Sequence, residues 1–353
     1  MRKNIDYAST AIYVLLCFGF LIGGCGSDSN NNSNNSPVLV QSIPLYANGL
    51  NGNGNIVVAS YTDSSNAGAN TGFKETLKIY RQDPLNADLL FDLSSVYLGV
   101  DTLYNRVSDI TLNPQWATVT MNDNELYTNR GWVALVPLSG PNYTLSATLE
   151  FNATLDRAVA VADWLLVASN TDLALYSIST PTALVLKGSY SLSTSTTSLT
   201  ALSNGFFITT NNGYANIDIT DPLNILFTET ANVDIKQSKK AYLIGNKLYI
   251  GGPSKYAGKV KIARLDLTTP NNPAIDIIND QINGAFIDFS YDGVDGYYLQ
   301  TVDSVKLYKE TGSSLSLMKS ASLSSYSNNA SQFYAYNNRF YIGKWSMNIY
   351  KMP

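Results

Sequence analysis

The residue types that could do chemistry are few. Asp292 and Asp295 lie in SYDGVDGYY, beside Gly293 and Gly296. Their oxygens would suit Ca2+, but the alternating acids and closing Glu of a calcium loop are missing, and Asp-Gly pairs are ordinary turn chemistry. Lys236, Lys239 and Lys240 in DIKQSKK offer a cationic spot near an axial channel, or simply a solvated loop. Histidine is absent from all 353 residues, which removes Ser-His-Asp catalysis and the commonest metal and haem ligand. No phosphate-binding glycine loop, paired-cysteine motif or nucleophile elbow occurs. With 23 basic against 27 acidic residues, the chain is also a poor partner for nucleic acid.

The remaining reactive group is a thiol. Both cysteines, Cys17 and Cys25, fall near the amino terminus, so the rest of the chain can form no disulfide. Arg2 and Lys3 precede the apolar run AIYVLLCFGFLI (Ala11 to Ile22) and then Gly23 and Gly24, the build of a signal peptide and too short to span a bilayer. LIGGC resembles a bacterial lipobox. That resemblance implies cleavage before Cys25 and its acylation, with two or three chains giving a stable anchor. Residues 1–24 are then the signal peptide and 25–36, CGSDSNNNSNNS, a lipidated cysteine with a solvated tether. Gly26 in place of Asp after the cysteine resembles the outer-membrane case. Removing residues 1–24 takes away Arg2, Lys3 and Asp6 and leaves 21 basic and 26 acidic residues, a net charge of −5.

The elements that would carry any site repeat from residue 37 onward. LKIYRQDPLNADLLFDLSSV, LALYSISTPTALVLKGSYSL, ANIDITDPLNILFTETANV and VKLYKETGSSLSLMKSASL each read as strand, turn and strand. A second hairpin precedes each phrase, as in AVAVADWLLVAS, LTALSNGFFITT, AYLIGNKLYIGG and FYAYNNRFYIGK. Four strands every 40 to 45 residues or so predict propeller blades. Counting second hairpins gives an all-β, seven-bladed β-propeller over residues 37–353 whose last blade, ending MNIYKMP, lacks a fourth strand. PVLVQSIPL at the other end matches the missing phrase, so the amino-terminal strand is expected to complete the last blade and close the ring. A β-helix or a pair of β-sandwiches is the alternative. The phrases, GYANIDITDPLN above all, resemble the bacterial LVIVD-repeat propellers, although no blade carries the pentapeptide intact. The resemblance implies a cell-surface propeller and supplies no catalytic residues.

In such a blade the first-to-second and third-to-fourth strand turns share one face, and the remaining connections the other. The former are short here (SNG, GNK, TDP, QDP). The latter include the long segments 62–75, 94–106, 121–132 and 251–259, so a binding surface is expected there, with Phe73, Tyr97, Tyr104, Tyr127, Arg130, Trp132 and Tyr256 as candidate anchors. The functional expectation is a bacterial cell-envelope lipoprotein, at the outer membrane or cell surface, acting as a non-catalytic binding or assembly scaffold for a protein or glycan. An extracellular lyase or hydrolase on a polysaccharide or lactone, using carboxylate, Tyr or Lys, and a structural part of a surface complex or filament are the alternatives.

Overall fold

The structure is a computed structural model. It describes residues 36–353 except 55, 64–72, 83–88, 103–104, 124–128, 140–142, 181–182, 271, 292–295, 313, 324–331 and 344–345, and without the side chains of 62–63, 73–74, 100–102 and 105–106. The described strands make seven four-stranded antiparallel sheets. Six follow chain order from first strand to fourth, and their first strands are Ala47–Asn53, Asn105–Leu112, Arg157–Val161, Thr196–Leu202, Lys240–Ile244 and Phe286–Tyr291. The seventh starts at Gln332–Tyr336, runs through Arg339–Gly343 and Met347–Lys351, and takes its fourth strand from Val38–Ile43. The chain is a seven-bladed β-propeller closed by its amino-terminal strand, as the repeat count predicts.

Burial follows strand position. The second and third strands of a blade are covered by neighbouring blades on both sides and therefore read as unbroken apolar runs, such as Gly205–Thr210, buried throughout. The fourth strand faces solvent at the rim, so Val185–Ser191 (VLKGSYS) is largely exposed. Seven hydrophobic clusters result, one at each blade interface. Aromatic residues fill several: Phe207 stacks on Tyr214 at 5.3 Å between blades 4 and 5, and Tyr334 on Tyr341 at 5.5 Å between blades 7 and 1. In blade 7 the hairpin turn is Asn337 and Asn338, both left-handed (φ 50° and 61°), the pair that a two-residue turn requires.

At one interface the absence of a side chain is itself required. A Cβ on Gly52 would lie 2.3 Å from the fully buried ring of Tyr334, whose hydroxyl accepts a 2.9 Å hydrogen bond from Gly54 N. Gly52→Val is therefore expected to cost about 2–3 kcal/mol by overpacking, read as a lower urea midpoint at unchanged slope.

Candidate functional site

The first strands are innermost and enclose an axial cavity of about 770 Å3, lined from all seven blades. They are stitched to one another by side chains. Asn51 Nδ2 donates to Ile110 O (2.6 Å), Thr111 Oγ1 to Ala158 O (2.8 Å), Ser290 Oγ to Ala335 O (3.1 Å), and Leu50 N to Gln332 Oε1 (3.2 Å). Each first strand runs from the face carrying the second-to-third and blade-to-blade connections, the loop face, to the face carrying the first-to-second and third-to-fourth connections, the turn face. The expectation of uniformly short connections on the turn face is corrected: in blades 1 to 5 the third and fourth strands are seven to nine residues apart. The charged groups of the channel sit toward the loop-face end of these strands, and Leu112 and Ile244 toward the other.

Two ion pairs bridge blades at that mouth. Arg157 Nη1 lies 3.1 Å from Asp109 Oδ2, joining blades 3 and 2. Lys240 Nζ lies 3.2 Å from Asp288 Oδ1, joining blades 5 and 6, and also donates to Phe333 O of blade 7 at 3.5 Å. Burial, the largest single influence, lowers the Lys240 pKa, but the acidic groups around it, Asp288 foremost and Tyr242 next, together outweigh burial and hold the amine above its ordinary value. Asp109 adds to this from the other ion pair. Lys239 also lines the cavity and is exposed, with no carboxylate within 4.0 Å among the described residues.

The segment delivering these lysines is held from below. Lys261, in the third strand of blade 5 (Lys259–Asp266), is 1% exposed and donates to Asp234 O (2.8 Å) and Lys236 O (2.7 Å). Burial lowers its pKa to about 8. Beside it Lys255 pairs with Asp234 (2.8 Å) and lies 5.5 Å over the ring of Tyr256.

The sequence-derived candidates separate on this frame. Tyr256 is exposed on the loop face between the second and third strands of blade 5. Arg130 is exposed there on blade 2, 3.6 Å from Glu150. Tyr97 is exposed on the fourth strand of blade 1, and Phe73 opens the third strand of that blade. Trp132 is corrected: it is 6% exposed in the blade 1–2 core, because it lies in a third strand (Gly131–Pro137) covered on both sides. The segment expected as an irregular insertion, 94–106, is corrected as well. Most of it is strand, Leu90–Thr102, paired along Phe73–Gln82, with the open end of the pair, Phe73 opposite Thr102, at the loop face. Cys25, Tyr104, Tyr127, Asp292 and Asp295 lie outside the described residues. Among those described, no group of three His, Cys, Asp or Glu side chains is placed to hold a metal ion.

The sequence reading passed over Arg157, Asp109 and Asp288. A signal for them exists: each ion pair joins equivalent first strands about one repeat apart, 48 residues for Lys240 and Asp288. What the arrangement offers is a rigid, polar channel mouth with its charges largely neutralised by one another, surrounded by exposed Tyr and Arg. That is a surface suited to recognition.

No protein-family model matches the sequence, and no curated protein matches it. Solved structures do match its fold. A chain of the mitotic checkpoint complex aligns over 100% of this chain and 99% of its own at 11% identity, TM-score 0.62. The WD40 β-propeller domain of Doa1 aligns over 90% and 98% at 9% identity, TM-score 0.55. A periplasmic gluconolactonase of Pseudomonas aeruginosa aligns over 80% and 86% at 12% identity, TM-score 0.54. Identities this low establish the propeller fold alone.

Proposed function

We propose that the chain is a lipid-anchored cell-envelope protein whose propeller is a non-catalytic scaffold holding a protein partner on its loop face. The observation that carries this is the asymmetry of the two faces. Strand-to-strand connections are of similar length on both, but the loop face gathers exposed Tyr97, Arg130 and Tyr256 around the charged channel mouth. Support also comes from the likeness to a WD40 domain and to a chain from a multi-protein complex. The anchor rests on LIGGC and the tether that follows it.

The test is co-purification from cells with the amino terminus intact, identifying what accompanies the chain. A folded variant carrying Tyr97→Ala, Arg130→Ala and Tyr256→Ala is expected to bind that partner at least about tenfold more weakly. Undiminished binding would move the site off this face. The second reading is a propeller hydrolase acting on a lactone, favoured by the likeness to a gluconolactonase and by carboxylates in the channel. Hydrolysis of gluconolactone by the purified chain, abolished in a folded Asp288→Asn variant, would put that reading first.

A further inference from the structure

We propose that the turn face of the propeller docks against a lipid bilayer. Many of the exposed aliphatic and Phe side chains gather at one face of the ring, with Ile278, Leu317 and Met318 mid-strand on the rims of blades 5 and 6 the exceptions. Leu39 on the fourth strand of blade 7, Phe91 on that of blade 1, Val185 and Leu186 on blade 3 and Leu226 on blade 4 all stand at the turn-face ends of their strands, 49 to 56% exposed. Leu223, at the tip of the TDPLN turn of blade 4, is 92% exposed. On the loop face, by contrast, the exposed large apolar groups are Tyr46, Tyr97 and Tyr256, with Val233 the one aliphatic among the described residues.

Leu223 is also held in place. The Asp221 carboxylate accepts from Leu223 N (3.0 Å) and Asn224 Nδ2 (2.6 Å), while Asn224 N donates to Asp221 O (3.0 Å). A leucine presented to solvent on a braced turn loses little freedom when it inserts, which favours insertion. The sequence QDPLN, residues 82–86, repeats the motif in blade 1, with 83–86 outside the described residues.

The bilayer is identified as the occupant by where the chain enters. Val38 pairs with Lys351, at the turn-face end of blade 7, so whatever holds the preceding segment holds this face. The eleven residues 26–36 reach about 40 Å when extended and about 20 Å as a flexible coil. An acyl anchor at Cys25 thus keeps the apolar rim within reach of the lipid that holds it, and turns the loop face outward. The proposal rests on the lipid-anchored reading of Cys25.

The experiment separates the two. Chain purified from membranes is weighed for acylation, then reconstituted into phosphatidylcholine vesicles with a polarity-sensitive dye on Leu223→Cys or on Tyr256→Cys. A parallel arm anchors the chain through a hexahistidine tag placed ahead of residue 26, so that the introduced cysteine is its one thiol, on nickel-chelating lipid. Docking predicts a vesicle-dependent blue shift at position 223 and none at 256, in both arms. Adding Phe91→Ser and Leu226→Ser should weaken partitioning of unanchored chain by about tenfold or more. Equal shifts at both positions, or none, would overturn the docking. A shift at 223 that grows with protein concentration without vesicles would replace the bilayer with a second copy of the chain. Absence of acyl mass would overturn the anchor alone, since the nickel arm still reports the docking.

Discussion

Removal of Pro37 to Pro44 is expected to lower the melting temperature by about 5 to 10 °C, whereas removal of Ser27 to Ser36 leaves it unchanged. Val38–Ile43 is the fourth strand of blade 7, registered from Val38 opposite Lys351 to Ile43 opposite Met347. Its deletion strips the ladder from Met347–Lys351 and takes Ile43 away from the cluster between blades 7 and 1. It also removes Gln41, whose Oε1 accepts from Leu90 N at 3.0 Å and so ties the last blade to the first. At about 0.5–1.5 kcal/mol net per hydrogen bond, with the apolar burial added, the loss is on the order of 5 kcal/mol. The Asn/Ser tract has no apolar surface with which to make a comparable contribution. Thermal scans of the two truncations decide the matter, and equal melting temperatures would show that the first strand does not hold the ring.

The second large effect is a pH dependence from Lys261. Its folded pKa, about 8, lies below the ordinary 10.5 because burial penalises the cation. Between those two values the unfolded chain binds the proton and the folded chain does not, so stability rises with pH across about 8 to 10.5 and is lost as pH falls through 8. The shift corresponds to about 3 kcal/mol across that window. Lys261→Met removes the titration and leaves the carbonyls of Asp234 and Lys236 without their donor. The variant is therefore expected to be destabilised more at pH 10 than at pH 7, by about 2–3 kcal/mol. Above pH 10 a different group takes over: burial raises Tyr308 to about 12, and ionisation of the unfolded chain then lowers stability in parent and variant alike. Urea unfolding of both proteins from pH 7 to 10 tests this. A difference that does not change with pH would mean that Lys261 keeps its proton throughout.

The blades were legible because each strand type leaves its own pattern. WLLVAS and GFFITT read as strands since both of their faces are buried, and NN in YNNRF marks a turn because Asn tolerates left-handed backbone. Ring closure was legible from an unfinished last repeat and a matching phrase at the start. The rim was harder, because an outer strand such as LFDLSSVYLGVDT mixes apolar and polar residues on its open side, Phe91 beside Asp92 and Tyr97 beside Ser95, and so loses the clean alternation of a strand. Trp132 was misplaced by the same ambiguity, one residue inside a strand and beside a long connection. The channel ion pairs were hidden because each partner alone is an ordinary charged residue. Only the packing of one blade against the next brings Asp109 to Arg157 and Asp288 to Lys240.

The closing strand also sets a timetable for synthesis. Ser42 donates to Asn348 Oδ1, a partner 306 residues further along the chain. At about 5–20 residues per second, translation of that interval takes about 15 to 60 s. Every other blade can zip up from neighbouring segments as it emerges, yet the first strand made must wait, unpaired, for nearly the last. During that interval the nascent protein is an open arc with two adhesive ends, and a factor that shields the leading strand would determine how many chains finish as rings.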